Sequence, residues 1–377
     1  SSPLGLVERG IVLDAYVADH EVTPGQSVPV TLLAWNTSPD TIRANLQMIA
    51  SPGWSSDGLS ACTSTAVAPG AVLRCPVAMR VDADARPDQP YYLVEPMAGA
   101  MYRWTGDRAA WSEGFDRPLQ ARATILFADG TRSYSLHEVT ARSLDQGLGE
   151  VRRPVTIVPP VLLDLAPGRF LWPVGVASRD FAVQVEHTSQ DSLTAKVRLV
   201  VPDGWRVDST RTVHFSAQGE RQLLHFRVTA PTQPTPGEVQ ITAEAILPGD
   251  TLRLGARRIN YPHIRERVLF HLATATAVVA PVQFAADRRV GYLRGAADAI
   301  PEALAAAGVP FRLLGDDDLL GGVLDSLDVV VVGPRAYEIS DALRRAQPRL
   351  LQFAERGGTL IVQYQQGDFA QRGLAPY

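Results

Sequence analysis

"LQMIASPGWSSDG" (residues 46–58) and "VRLVVPDGWRVDS" (residues 197–209) share one layout: an apolar run broken by polar residues, a proline, then Gly-Trp. Alternation at period two reads as a half-buried strand, and Pro followed by Gly reads as the turn that ends it. Working outward, the correspondence persists at a shift of about 150 residues. "IVLDAYVAD" near Ile11 answers "PVLLDLAPG" near Pro160, and "VAPGAVLRCPVAMRV" answers "FSAQGERQLLHFRV". "ILFADGTRSYSLHEV" answers "AILPGDTLRLGARRI". Turn residues punctuate these runs roughly every 8 to 12 positions, the rhythm of antiparallel β-sandwiches. Two such sandwiches are expected, over 1–158 and 159–261. Gly53-Trp54 and Gly204-Trp205 then carry packing tryptophans at a turn. His187, His214 and His225 sit in alternating strands without metal-ligand spacing, so they read as strand residues.

With 377 residues the chain exceeds one ordinary core, and at 46% hydrophobic and 20% charged it has a globular composition. Lys plus Arg is 36 against 40 acidic residues, a formal charge of -4, which argues against nucleic acid as the main partner. Val268 to Ala286 carries no charged side chain, yet it holds His271, Pro281 and Gln283 and is built mostly of Ala and Val. It reads as a sheet strand with its flanks, so no membrane span is expected.

Cys62 and Cys75 are the two cysteines. The segment between them, "TSTAVAPGAVLR", reads as two strands about a Pro69-Gly70 turn. As a hairpin it would bring the cysteines nearly opposite, so a disulfide is geometrically reasonable; two buried thiols are the alternative. A disulfide fits an oxidising compartment, periplasmic or extracellular. The opening "SSPLGL", without Met, is expected to follow a processed or trimmed segment.

The first copy carries an insertion, Pro90 to Leu119, that holds Tyr91, Tyr92, Tyr102, Trp104, Trp111 and Phe115 with Met97 and Met101. These types are enriched at interface cores. Three roles are open: a cap on its own sandwich, a docking surface for a protein partner, or a platform on which sugars stack.

After "INYPHIRERV" the period changes, and a third domain is expected over 262–377. "RRVGYL", "PFRLL", "LDVVVVG" and "TLIVQYQ" read as strands, while "AADAIPEALAAAGV" and "SDALRRAQPRLLQFAERGG" read as helices. Alternating β and α with all-apolar strands implies a small flavodoxin-like parallel sheet. Gly308 and Gly357 stand where a helix end favours a left-handed residue. Arg294, Asp298, Arg335, Tyr337, Glu338, Gln363 and Tyr364 leave the strand ends, where open α/β sheets place their sites. No thiolate, nucleophile elbow, phosphate loop or cofactor motif accompanies them. Arg294, Arg335, Tyr337 and Glu338 are therefore expected to form at most a vestigial cleft, with Arg335 and Glu338 as a local ion pair. "GDDDLL" reads as a helix start and not a cation site.

"NYPHIRERV", "VGYLRGAADAIPEALAAAGV", "LDVVVVGPRAYE", "GGTLIVQYQ", the "PYYL…YRW" insertion and "VPPV" at 158–161 together resemble the C-terminal region of bacterial PIG-L/LmbE-type deacetylase-like proteins. In that family a zinc-dependent deacetylase domain precedes galactosidase-associated sandwiches and a class I glutamine amidotransferase-like domain. The resemblance implies this architecture across essentially the whole chain. The family's His-Pro-Asp-Asp-Glu zinc motif is absent, as is the nucleophilic Cys of true amidotransferases. The expectation is a non-enzymatic chain with no cofactor and no metal. It would be an extracytoplasmic accessory or scaffolding subunit whose partners are proteins of an envelope or membrane-associated complex. A carbohydrate-binding tail of a deacetylase is the second reading, and a cryptic enzyme using Arg335, Tyr337 and Glu338 the third.

Overall fold

Period-two patterning sets the first unit. In the strand Ser27–Asn36 the side chains of Val28, Val30, Leu32 and Ala34 are buried, and their neighbours in sequence are more exposed. The computed structural model describes residues 3–375 except 50, 57, 59, 96, 104–118, 262 and 286. Strand is far commoner in it than helix. One sheet runs Gly149–Pro154, Thr140–Asp145, Ile11–Val17, Ser27–Asn36, Val72–Val81, Trp54–Ser56. The other runs Ser60–Val67, Ile42–Met48, Gln120–Leu126, Arg132–Glu138. Their inner faces share one core, in which Val30, Leu32 and Met79 meet Ile42, Leu46 and Ile125.

Cys62 and Cys75 are bonded, with Cα atoms 6.0 Å apart. The expected hairpin is not what brings them together. Ser60–Val67 pairs with Ile42–Met48 in one sheet, whereas Val72–Val81 pairs with Ser27–Asn36 and Trp54–Ser56 in the other. The chain arches between sheets at Pro69-Gly70, where Gly70 has φ +77°, and the disulfide staples the layers. Side chains alternate across a strand, so residues facing a common core meet through the sandwich as readily as along a ladder.

The second unit repeats the plan. Val161–Ala166, Ser178–His187, Arg221–Thr229 and Arg206–Val207 form one sheet. Arg169–Pro173, Thr274–Ala280, Gly237–Leu247, Leu193–Val200 and Arg211–Phe215 form the other, with Asp250–Leu252 paired to Gly237–Leu247. Trp172, Phe181 and Phe226 fill the core. The Gly-Trp pairs are structurally equivalent: Gly53 and Gly204 adopt φ +77° and +83°, and each leads into a short strand on the sheet edge. Trp205 packs edge-to-face on Trp172 with centroids 4.7 Å apart, while Trp54 lies half-buried on the first core. His187 stacks on Phe215, and His214 meets Thr194 at 2.9 Å.

The sandwich does not stop at residue 261. Thr274–Ala280 lies between Arg169–Pro173 and Gly237–Leu247, parallel to the first and antiparallel to the second. Ala275, Ala277 and Val279 face the sandwich core, so the parallel unit begins only beyond Ala280. Among the described residues no helix is long and apolar enough to cross a membrane.

Between the sandwiches stands a strand pair, Leu254–Ile259 with Arg267–Leu272. Beneath it Val158, Leu162, Val268 and Phe270 make a separate small core. From this arm Arg258 reaches Glu21 of the first unit at 2.7 and 2.8 Å and Glu186 of the second at 3.0 Å. Glu266 pairs with Arg153 at 2.9 Å, and Arg265 pairs with Glu138.

The last unit is a four-stranded sheet in the order Arg312–Leu313, Val290–Leu293, Val329–Val332, Thr359–Val362, and every pairing is parallel. Helices Ile300–Ala307 and Asp341–Glu355 fall where the pattern places them. Gly308 closes the first at φ +78° and donates its N–H to Ala305 O, and Gly357 follows the second at φ +96°.

Candidate functional site

At the C-terminal ends of the parallel strands the backbones of two turns approach so closely that only glycine fits. A Cβ on Gly295 would overlap the Pro334 carbonyl oxygen, and one on Gly333 would overlap the Asp298 carboxylate. The Gly295 amide donates to Asp298 Oδ2 at 2.9 Å, the Ile300 amide donates to Oδ1 at 2.9 Å, and the Tyr292 hydroxyl donates to Oδ2 at 2.9 Å. Burial alone would raise the Asp298 pKa. The two amides, the Tyr292 hydroxyl and the Arg294 charge outweigh it and hold the carboxyl below the usual carboxylate range. Burial and the Asp298 charge push the Tyr292 hydroxyl upward. Tyr292 is fully buried and lies 3.3 Å from Gln363 Oε1.

Arg294 is committed to its own turn and helix. It donates to the Asp298 carbonyl at 2.8 Å and to both oxygens of Glu302, at 2.6 and 3.2 Å. Arg335 pairs with Glu338 Oε2 through two donors at 2.9 and 2.7 Å, the local pair expected from their spacing. Glu338 Oε1 is buried without a partner. Arg335 adopts φ +57°, and its amide donates to Tyr364 O at 2.8 Å. Left-handed backbone disfavours a side chain with Cβ, and this turn holds it with both contacts.

The expected residues divide by their partners. Arg294, Asp298 and Gln363 gather around Tyr292, and Arg335 and Glu338 stand together. Tyr337 turns inward instead, buried against Phe369 with its hydroxyl donating to Gln347. Burial pushes its pKa up to about 12. Two residues with a structural part here were not singled out from the sequence. Tyr292 belongs to an apolar strand, and Gln365 bridges the turns by donating to Gly333 O at 2.9 Å. A polar-tipped Tyr in an otherwise apolar buried strand, six residues before an Asp, is the signal that could have found the first.

In "GDDDLL", Asp318 accepts from the Gly315 amide at 3.0 Å and pairs with Arg312 at 2.6 Å. This is a helix start, as the pattern indicates. Among the described residues no group of His, Cys, Asp and Glu could hold a metal.

Of the aromatic insertion, Trp104, Trp111 and Phe115 lie outside the described residues. Tyr91 and Tyr92 sit in a short turn, Tyr91–Leu93, edge-to-face at 5.3 Å. Tyr92 meets Tyr102 edge-to-face at 5.2 Å. Tyr102, Met97 and Met101 are exposed. The root of the insertion is anchored: Gln89 exchanges two hydrogen bonds with the Phe270 backbone, at 2.7 and 2.9 Å.

No protein-family model matches the chain, and no curated protein does. Among solved structures, the native conformation of E. coli alpha-2-macroglobulin is similar over 72% of this chain and 17% of that one, at 13% identity and TM-score 0.24. Salmonella alpha-2-macroglobulin reacted with methylamine is similar over 72% and 16%, at 14% identity and TM-score 0.24. Red sea bream transglutaminase is similar over 72% and 31%, at 10% identity and TM-score 0.25. The chain thus spans less than a third of each of these proteins, and at such scores the likeness bears on neither activity nor partners.

Proposed function

We propose that this chain is a non-enzymatic accessory or scaffolding subunit of an extracytoplasmic assembly, built from two immunoglobulin-like sandwiches and a flavodoxin-like unit. The observation that carries the reading is Asp298. At the strand ends the buried Asp298 carboxylate spends its oxygens on two amides and a tyrosine, which fixes turns and leaves it no role as a base. Arg294 and Arg335 are likewise engaged by Glu302 and Glu338. The Cys62–Cys75 bond supports a periplasmic or extracellular location. The exposed Tyr102, Met97 and Met101 support docking of a protein partner through the insertion. On this reading the chain is related to the non-catalytic tail of PIG-L/LmbE-type proteins.

Mild-detergent purification from source membranes tests it. The chain should elute in a larger assembly, and joint replacement of Trp104 and Trp111 by Ala should release it with the melting curve unchanged. Elution as a monomer that hydrolyses acetylated glycans would reverse the assignment. The second reading, a carbohydrate-binding tail, is favoured by the exposed ring of Tyr102 beside Tyr92. Chemical-shift changes confined to these rings on titration with chitooligosaccharide would support it.

A further inference from the structure

Between the second sandwich and the helix Ile300–Ala307 lies a cavity of about 380 Å³. Pro167, Phe170 and Phe181 form its sandwich wall, and Ala305 and Ala306 form its helix wall. Arg179 and Asp180 also line it. They do not neutralise each other. Asp180 gives both carboxylate oxygens to Arg227, at 2.8 and 3.1 Å.

Arg179 shares the inward face of its strand with Phe181. Its guanidinium carbon lies 5.7 Å from the Phe170 ring centroid and 5.6 Å from that of Trp172. Its Nε is buried with no hydrogen-bond partner. Burial, unopposed by any neighbouring carboxylate, pulls its pKa below the ordinary arginine value. The aromatic faces offset part of the cost of desolvating this cation and leave its buried Nε–H unmet. A carboxylate would supply both the charge and the acceptors that the planar fork requires. The end of the helix at Gly308 is also close, since a Cβ there would lie 3.3 Å from Arg179 Nη2. Its partial negative charge, with Asp180 at the rim, disfavours a dianion. The apolar walls favour a ligand with an apolar body, and the volume falls at the small end of ligand sites.

We propose that this cavity binds a small organic monocarboxylate, its carboxylate on Arg179 and its apolar body against Pro167, Ala305 and Ala306. Such a ligand touches sandwich and helix at once and fastens the parallel unit to its neighbour.

Isothermal titration calorimetry of the full chain with 4-phenylbutyrate, hexanoate and benzoate tests the proposal, with 4-phenylbutan-1-ol and inorganic phosphate as comparisons. At least one acid should bind saturably at one site, with the alcohol and phosphate at least tenfold weaker. Arg179→Gln should weaken that acid at least tenfold. Ala305→Phe, which fills the recess and keeps the cation, should do the same and carries the test should Arg179→Gln not fold. No saturable binding by any of the acids, equal binding of acid and alcohol, or full affinity in Ala305→Phe would each overturn it.

Discussion

Asp298 is 8% exposed, and a buried carboxylate costs several kcal/mol unless its lone pairs are met. Asp298→Asn replaces an acceptor by a donor that faces either the Gly295 amide and Tyr292 hydroxyl together or the Ile300 amide. The expected loss is about 2–3 kcal/mol in chemical denaturation, centred on the parallel unit. The pH dependence has a definite sign. The folded pKa lies below the unfolded one, so the contribution is complete above the ordinary carboxylate range. It is lost as pH falls through the folded value. Acid titration of stability should therefore be steeper in the parent chain than in Asp298→Asn; equal slopes would remove Asp298 from this role. How much was legible differs from residue to residue. Arg335 and Glu338 could be paired from a spacing of three, because that contact is local. Tyr292 reaches Gln363 from a different strand, and no local pattern encodes the register that joins them.

Among elements, the disulfide shows what periodicity leaves open. Alternation marks Ser60–Val67 and Val72–Val81 as strands, but pairing partners depend on which layer each strand enters. The turn at Pro69-Gly70 serves an arch as well as a hairpin. Closing a loop across 13 positions is worth about 3 kcal/mol by chain entropy. Replacing both cysteines with Ala should lower denaturation stability by about that amount, and a reductant should reproduce the loss in the parent chain. The βα succession of the last unit was legible for the opposite reason, since each strand, helix and glycine stop is written within a few residues. Thr274–Ala280 was misassigned because a short apolar run fits a sandwich or a parallel sheet equally well until its neighbours are known.

At the scale of the molecule, Arg258 joins three elements through Glu21 and Glu186. Glu21 is 8% exposed, so Arg258→Met would leave it facing no cation. The pair is partly solvated, which tempers the loss to about 2 kcal/mol. The more specific expectation is a change of cooperativity. Calorimetry should show the two sandwiches melting together in the parent chain and in separate transitions in Arg258→Met. A single unaltered transition would mean that the small core of Val158, Leu162, Val268 and Phe270 and the remaining ties of the arm hold the units together without Arg258.

Thr274–Ala280 sits inside its sheet but comes last in the sandwich's sequence. During synthesis, at about 5–20 residues per second, Gly237–Leu247 leaves the ribosome well before the strand that covers its flank. Until Ala280 emerges, that flank presents unpaired N–H and C=O groups to other nascent chains. The bracing arm is translated within this interval, so the residues that tie the second sandwich to the first are made before that sandwich can close.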